Sequence, residues 1–256
     1  MPQQHLDRLT AVDASFLHQE GPTSHMHVGA LTLFEGPPPD FDELLDHVRG
    51  RLHLVPRYRQ KLAFAPMETG HPLWIDDPTF NIEYHVRQTA LPSPGDEAQL
   101  MRLAGRVMSQ QLDRTKPLWE LWVVEGLEDG RFGLISKTHH ALIDGVSGVD
   151  LATVLFDLDA VPAEVPHSDE PWRAQPEPNP AELVASSTAG RTKALLDVAA
   201  KAAAAVTRPQ AALETVREAL EGVGEIAWAG LNPAPSTPLN VPIGPHRRFV
   251  GVPNRL

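Results

Sequence analysis

The chain has 256 residues, enough for one large domain or one and a half ordinary ones, and its 42% apolar and 21% charged content is ordinary for a globular protein. A formal net charge of −11 excludes a general phosphate-binding surface and so argues against a nucleic-acid partner. The absence of cysteine excludes disulfides, thiolate metal sites and a Cys nucleophile, and fits a cytoplasmic chain. The opening Met1-Pro2-Gln3-Gln4-His5-Leu6-Asp7-Arg8 has no basic region followed by an apolar core, so no signal peptide is expected. No run reaches the ~20 apolar residues of a membrane span, which leaves only peripheral membrane contact.

In chain order, the first 160 residues alternate between strand and helix patterns. Met26 to Phe34 (MHVGALTLF) is mostly apolar on both faces and predicts a buried strand. Gly36-Pro37-Pro38-Pro39 breaks it, and Asp40 with Glu43 forms a capping-box pattern before a helix. Phe41, Leu44, Leu45, Val48 and Leu52 recur at helical spacing behind that cap. Ile82 to Arg87 alternates, predicting a second strand. After Pro92-Ser93-Pro94-Gly95, Asp96 and Gln99 predict another capped helix, with the stripe Leu100, Leu103, Val107 and Met108. Trp119 to Glu125 (WELWVVE) and Phe132 to Thr138 (FGLISKT) read as a hairpin joined through Glu128-Asp129-Gly130-Arg131, where glycine supplies a positive φ. The second strand runs straight into His139-His140. A helix carrying Val149, Leu151, Val154, Leu155 and Leu158 is expected after Gly145.

Composition changes from Val161 to Pro180, which holds six prolines and reads as an extended linker. Ala181 to Gly222 is Ala-rich and helix-favouring, with Pro209 dividing it in two. Lys193, Lys201, Arg191 and Arg208 are interspersed with acids there, so these helices read as a solvated crossover arm. Asn232 to Leu256 is rich in proline and glycine. The expected organisation is an α/β (α+β) domain over 1–160, a linker and helical arm over 161–231, and the start of a second domain over 232–256.

The string His139-His140-Ala141-Leu142-Ile143-Asp144-Gly145 carries the most chemical information. An alcohol is a poor nucleophile, so its acylation needs a base that removes the hydroxyl proton as the new bond forms. Imidazole titrates near ambient pH and transfers a proton in either direction. Asp144 could brace the loop, and Gly145 permits a turn that a Cβ would obstruct. Two other readings stand beside this one. A His-His pair is often structural, and two His with an Asp are ligand types, although adjacent residues at a strand end point to opposite sides and ligate together awkwardly. His25 and His27 share a strand face at a spacing a metal could use, but no third ligand is nearby.

HHxxxDG is the signature of the chloramphenicol acetyltransferase-like superfamily, which includes the condensation domains of peptide synthetases. Leu9-Thr10-Ala11-Val12-Asp13-Ala14-Ser15-Phe16-Leu17, Met26-His27-Val28-Gly29, Pro117-Leu118-Trp119 and the motif with its Val146-Ser147-Gly148 extension together resemble the wax ester synthase/diacylglycerol acyltransferase family. Pro238-Leu239-Asn240 and Gly244-Pro245-His246-Arg247-Arg248 are similar to that family's entry into its second half. The resemblance spans essentially the whole chain. It implies a mixed sheet flanked by helices and followed by a helical crossover arm. It also implies transfer of a fatty acyl group from acyl-CoA to diacylglycerol or a long-chain alcohol, with no cofactor and no acyl-enzyme. In it His140 is the general base, His139 supports it, and Asp144 and Gly145 shape the loop. Pro117, Leu118 and Trp119 are associated with the acyl-chain wall, although Leu118 and Trp119 fit core packing equally well.

The family's second-half Asn-Asp motif has no counterpart before Leu256. The resemblance therefore implies a complementing chain that supplies an oxyanion donor, in the setting of a split gene, a remnant or a truncated chain. Two alternatives remain: a condensation-type acyltransferase using a carrier-bound thioester, and a non-catalytic scaffold. Contact with membrane or lipid-droplet surfaces is at most peripheral.

Overall fold

The computed structural model describes residues 7–66, 70–143, 172–186 and 244–250. The chain divides into two compact units, one formed by 1–179 with 243–256 and the other by 180–242. The first unit contains β1 (Asp7–Arg8), α1 (Ala11–Gln19), β2 (His27–Phe34), α2 (Phe41–Arg51), β3 (Gln60–Ala63), β4 (Leu73–Asp76), α3 (Ile82–His85), β5 (Val86–Ala90), α4 (Glu97–Met108), β6 (Trp119–Glu125) and β7 (Phe132–His139). In the second unit, 180–186 is helical, where the Ala-rich segment was expected to begin. The rest of that segment and the helix expected after Gly145 lie outside the described residues.

The strands form two sheets. One is antiparallel in the order β1-β4-β3, and the other is mixed in the order β2-β7-β6-β5. In the mixed sheet only the β5–β6 pair is parallel, because α4 returns the chain to the same end between them. β6 and β7 are the expected hairpin, in register from Trp119 opposite Thr138 to Val124 opposite Gly133. Gly126, Asp129 and Gly130 carry the positive φ values that turn the connection.

Alternation along the hairpin gives the sheet two apolar faces. Trp119, Leu121, Val123 and Leu134 enter a core with Leu45, Val48 and Leu52 of α2. Val124 and Ile135 point the other way, onto Leu100, Leu103, Ala104 and Val107 of α4. The expected helix caps form. Asp40 Oδ1 accepts the Asp42 and Glu43 backbone N–H groups at 2.9 and 3.3 Å. Asp96 and Gln99 make a reciprocal capping box at the start of α4.

Two expected elements differ. Ile82 to Arg87 is not one strand: Asn81 accepts the Glu83 N–H at 3.0 Å and starts one helical turn, which buries Ile82 and His85 before β5 begins at Val86. An i,i+3 burial pattern was hidden under an alternating sequence. β2 is where expected but is not a buried strand, with Val28 40% and Leu33 42% exposed. Among the described residues it pairs only with β7, so it borders the sheet.

Residues 172–179 are extended yet well anchored. Trp172 sits under the Arg59 guanidinium at 4.7 Å and edge-on to Phe80 at 6.2 Å. Gln175 N–H donates to Asp76 Oδ2 at 3.0 Å, and Lys61 pairs with Glu177 at 2.5 Å. The segment 244–250 returns to α4, where the Arg247 N–H donates to Ser109 Oγ at 2.7 Å. Gly105 makes this approach possible, since a Cβ there would lie 2.5 Å from the Arg247 carbonyl oxygen. A cleft of about 360 Å³ beside this contact is lined by Gly105, Arg106, Ser109, Gln110, Pro245, His246 and Arg247.

Candidate active site

The double histidine lies where β7 ends. His139 is its last residue, and His140 begins a turn in which Leu142 N–H bonds back to His139 O at 2.9 Å and Ile143 N–H to His140 O at 3.2 Å. The two rings have different surroundings. His139 is 1% exposed, whereas His140 is half-buried. The His140 ring stacks on Phe16 of α1, with centroids 4.8 Å apart and planes 20° from parallel. Its backbone N–H donates to Met26 O at 2.9 Å, which fastens the turn to the entry of β2. Asp144 and Gly145 lie outside the described residues.

His139 Nδ1 accepts the Ala141 N–H at 3.0 Å. A ring nitrogen that accepts carries no hydrogen, so in neutral His139 the proton sits on Nε2. Nε2 faces Glu20 Oε2 at 3.6 Å and is otherwise buried without a hydrogen-bond partner. Glu20, the residue that ends α1, is itself buried. Its Oε2 accepts Arg114 Nη2 at 2.7 Å and Arg114 Nε at 3.1 Å, and its Oε1 accepts the Met26 N–H at 3.3 Å. Burial pushes the Glu20 carboxyl up, but the nearby His139 ring and the hydrogen bonds from Arg114 and the Met26 N–H outweigh it and hold the carboxyl at about 2.

Pro117, Leu118 and Trp119 enter β6 and are buried. Trp119 Nε1 donates to Tyr58 O at 2.8 Å, and its ring stacks on His85 at 4.7 Å. The Leu118 carbonyl accepts the His139 N–H at 3.0 Å, so this string backs the double-His turn through the sheet.

His27 lies opposite His139 in the β2–β7 register, and its ring is 5.4 Å from that of His25. His27 Nε2 donates to Met108 O at 2.9 Å. Burial first, then the Lys137 charge, hold His27 down at about 4. Among the described residues no group of three His, Asp or Glu side chains is placed to hold a metal ion. Lys137 is fully enclosed and donates to Val107 O at 3.0 Å and to Gln110 O at 2.5 Å, a cation at the carboxyl end of α4. Burial pushes its ammonium down, and Glu120 opposes that.

Glu20, Arg114, Phe16, His85 and Lys137 were not singled out in the sequence. Arg114 lies 94 residues from Glu20, and no local spacing links them. The one available signal was the amino-terminal string Leu9–Leu17, which contains Phe16 and stops three residues before Glu20.

The buried histidines make stability pH-dependent. Burial holds His85 at about 4 instead of 6.5, despite its hydrogen bond to Trp119 O. Between those values the unfolded chain binds protons that the folded one does not, so stability is full above pH 6.5 and falls towards pH 4. Glu20 has the same sign in a lower window, its contribution being lost as pH falls from 4.5 to about 2. Thermal denaturation from pH 7.5 to 4 should show a steady loss, on the order of 3 kcal/mol from His85 alone. His85→Gln should flatten that slope.

Among the described residues, no helix is long and apolar enough to cross a membrane. The family model described as "Wax ester synthase/diacylglycerol acyltransferase catalytic domain" matches residues 9–256. The chain is 38% identical to the probable diacylglycerol O-acyltransferase tgs3 of Mycobacterium tuberculosis, over 94% of this chain and 90% of that protein. It is 35% identical to the probable diacylglycerol O-acyltransferase tgs1 of Mycobacterium tuberculosis over 95% of its length, but spans only 50% of that relative. A solved wax ester synthase/diacylglycerol acyltransferase from Marinobacter aquaeolei is similar at 37% identity and a TM-score of 0.48, over 55% of this chain and 36% of that one. With the double histidine at the end of β7 and a family match running from residue 9 to residue 256, the chain belongs to the wax ester synthase/diacylglycerol acyltransferase catalytic-domain family, a family of acyltransferases.

Proposed function

We propose that this chain transfers a fatty acyl group from acyl-CoA to diacylglycerol or a long-chain alcohol, with His140 as general base. The observation that carries this reading is the asymmetry of the histidine pair. His139 is buried, with Nδ1 accepting the Ala141 N–H and Nε2 facing Glu20, whereas His140 is half-buried on a turn fastened to Met26 and stacked on Phe16. A base needs a fixed orientation and access to substrate, and of the two only His140 has both.

In the proposed reaction the acceptor hydroxyl loses its proton to His140 as its oxygen attacks the thioester carbonyl. The tetrahedral intermediate then collapses, and the departing CoA sulfur takes the proton from the imidazolium. The products are an ester and free CoA, and His140 is neutral again. No acyl-enzyme and no cofactor is required. His139 orients the turn, and Asp144 and Gly145 shape its continuation. Pro117, Leu118 and Trp119 act as the wall behind it, their contribution being packing that positions β6 against β7.

The proposal includes a complementing chain that supplies an oxyanion donor, supported by family members twice this length such as tgs1. It assigns 1–160 to the acyltransferase domain, 161–231 to the linker and arm, and 232–256 to the entry of a second domain. It places the protein in the cytoplasm, with peripheral contact at a lipid surface. The test is purified 1–256 with radiolabelled palmitoyl-CoA and dioleoylglycerol or hexadecanol, with thin-layer separation of products. Triacylglycerol or wax ester formed only after a second family chain is added supports the whole reading. Robust esterification by 1–256 alone removes the complementing chain. Acylation of a carrier-bound substrate but of neither lipid overturns the donor and acceptor assignment.

A further inference from the structure

With His140 read as the base, the buried carboxylate facing His139 has no assigned part. Glu20 is 1% exposed at its side chain, and every group that reaches it bears on the double-His turn. Arg114 grips Oε2 through two nitrogens, and its Nη2 also donates to Leu17 O at 2.8 Å, at the end of the helix that presents Phe16 to His140. Met26 N–H donates to Oε1, and the carbonyl of the same residue accepts the His140 N–H. His139 Nε2, whose hydrogen is dictated by the Ala141 N–H on the opposite nitrogen, faces Oε2. A single anion therefore reaches His140 by three routes: through the Met26 peptide, through His139, and through Arg114 and α1.

We infer that Glu20 is a positioning residue for the catalytic turn, fixed by Arg114; this rests on the reading of His140 as the base. A carboxylate is the group the arrangement requires. Arg114 and Met26 donate N–H groups that an ionised carboxylate accepts with both oxygens, and His139 turns Nε2 towards Oε2 at 3.6 Å. Glutamine at the same place has one accepting oxygen and turns an NH₂ group towards one of those donors. Its size is unchanged, so Glu20→Gln tests the charge and acceptor pattern separately from packing.

Two measurements on the full chain decide it. The first needs no turnover: ¹⁵N-histidine NMR should show neutral His139 with its proton on Nε2, and Glu20→Gln, which leaves the Ala141 N–H on Nδ1, should keep that tautomer and shift the Nε2 resonance. An Nδ1–H tautomer in the unsubstituted protein, or an unmoved Nε2 resonance in Glu20→Gln, overturns the proposal. The second is kinetic. Glu20→Gln should lower kcat about 10²-fold, the scale of a misplaced reacting group, with KM for palmitoyl-CoA within about twofold. In a His140→Ala background the same substitution should cost less than about twofold. Equal losses in both backgrounds indicate a merely structural role and sink the inference. If Glu20→Gln does not fold, Arg114→Lys, which keeps the charge but loses the two-nitrogen grip, takes its place with the same kcat-specific loss. Full activity of His140→Ala alone refutes the base assignment instead, and the NMR result stays separately readable.

Discussion

His140→Ala is expected to lower kcat for acyl transfer by a factor on the order of 10³, within the 10²–10⁴ range of general-base catalysis. The ring acts on the acceptor proton only as the new ester bond forms, so its loss should fall on kcat and leave KM for acyl-CoA within about twofold. The fold should survive. His140 is half-buried, its backbone bond to Met26 O does not depend on the side chain, and among the described residues the stack on Phe16 is the ring contact removed. Circular dichroism and a melting temperature within a few degrees of the parent would establish that. Activity within fivefold of the parent in a folded variant would remove His140 from the chemistry.

Trp119→Ala is the second large effect, and it separates two readings of the Pro117-Leu118-Trp119 string. Trp119 has no exposed surface, donates its indole N–H to Tyr58 O and stacks on His85. Truncation removes a large apolar ring, leaves a cavity and takes the indole donor away from Tyr58 O. Buried Trp→Ala changes cost roughly 3–5 kcal/mol. Urea denaturation should therefore show an unfolding free energy lowered by an amount in that range, seen as a lower midpoint at an unchanged slope. A ring that only lined a substrate channel would give a small stability loss and a raised KM, so a change below about 1 kcal/mol would contradict the core assignment. Trp119→Phe keeps the stack but not the indole donor, and should recover more than half of the loss.

Local pattern made much of the first unit readable. The α2 and α4 stripes and the Asp40 and Asp96 caps are contiguous in sequence, so periodicity and capping chemistry were enough to find them. The β6–β7 hairpin was marked by its alternation and glycine-bearing connection. Burial of β2 was overestimated because its apolar residues say nothing about where the strand falls in the sheet, and it borders that sheet. At the site the double histidine was visible as a string, whereas its surroundings were not. Glu20 meets Arg114 and His139 only after α1, the α4–β6 connection and β7 have come together. Lys137 reads as a polar strand residue until the end of α4 provides two carbonyls for it. His85 looked like one position in an alternating strand, and in the fold it is sandwiched between Phe80 and Trp119.

The seating of Arg247 on Gly105 and Ser109 also sets an order of events in time. Ser109 and Arg247 are 138 residues apart, and closing a loop of that length costs roughly 4 kcal/mol of chain entropy. On a ribosome this contact has to wait for residue 247, long after α4 and the β6–β7 hairpin have emerged. Until then the small-residue face of α4 stands open to water and to other nascent chains. The arrival of 244–250 is the step that covers Gly105 and Ser109.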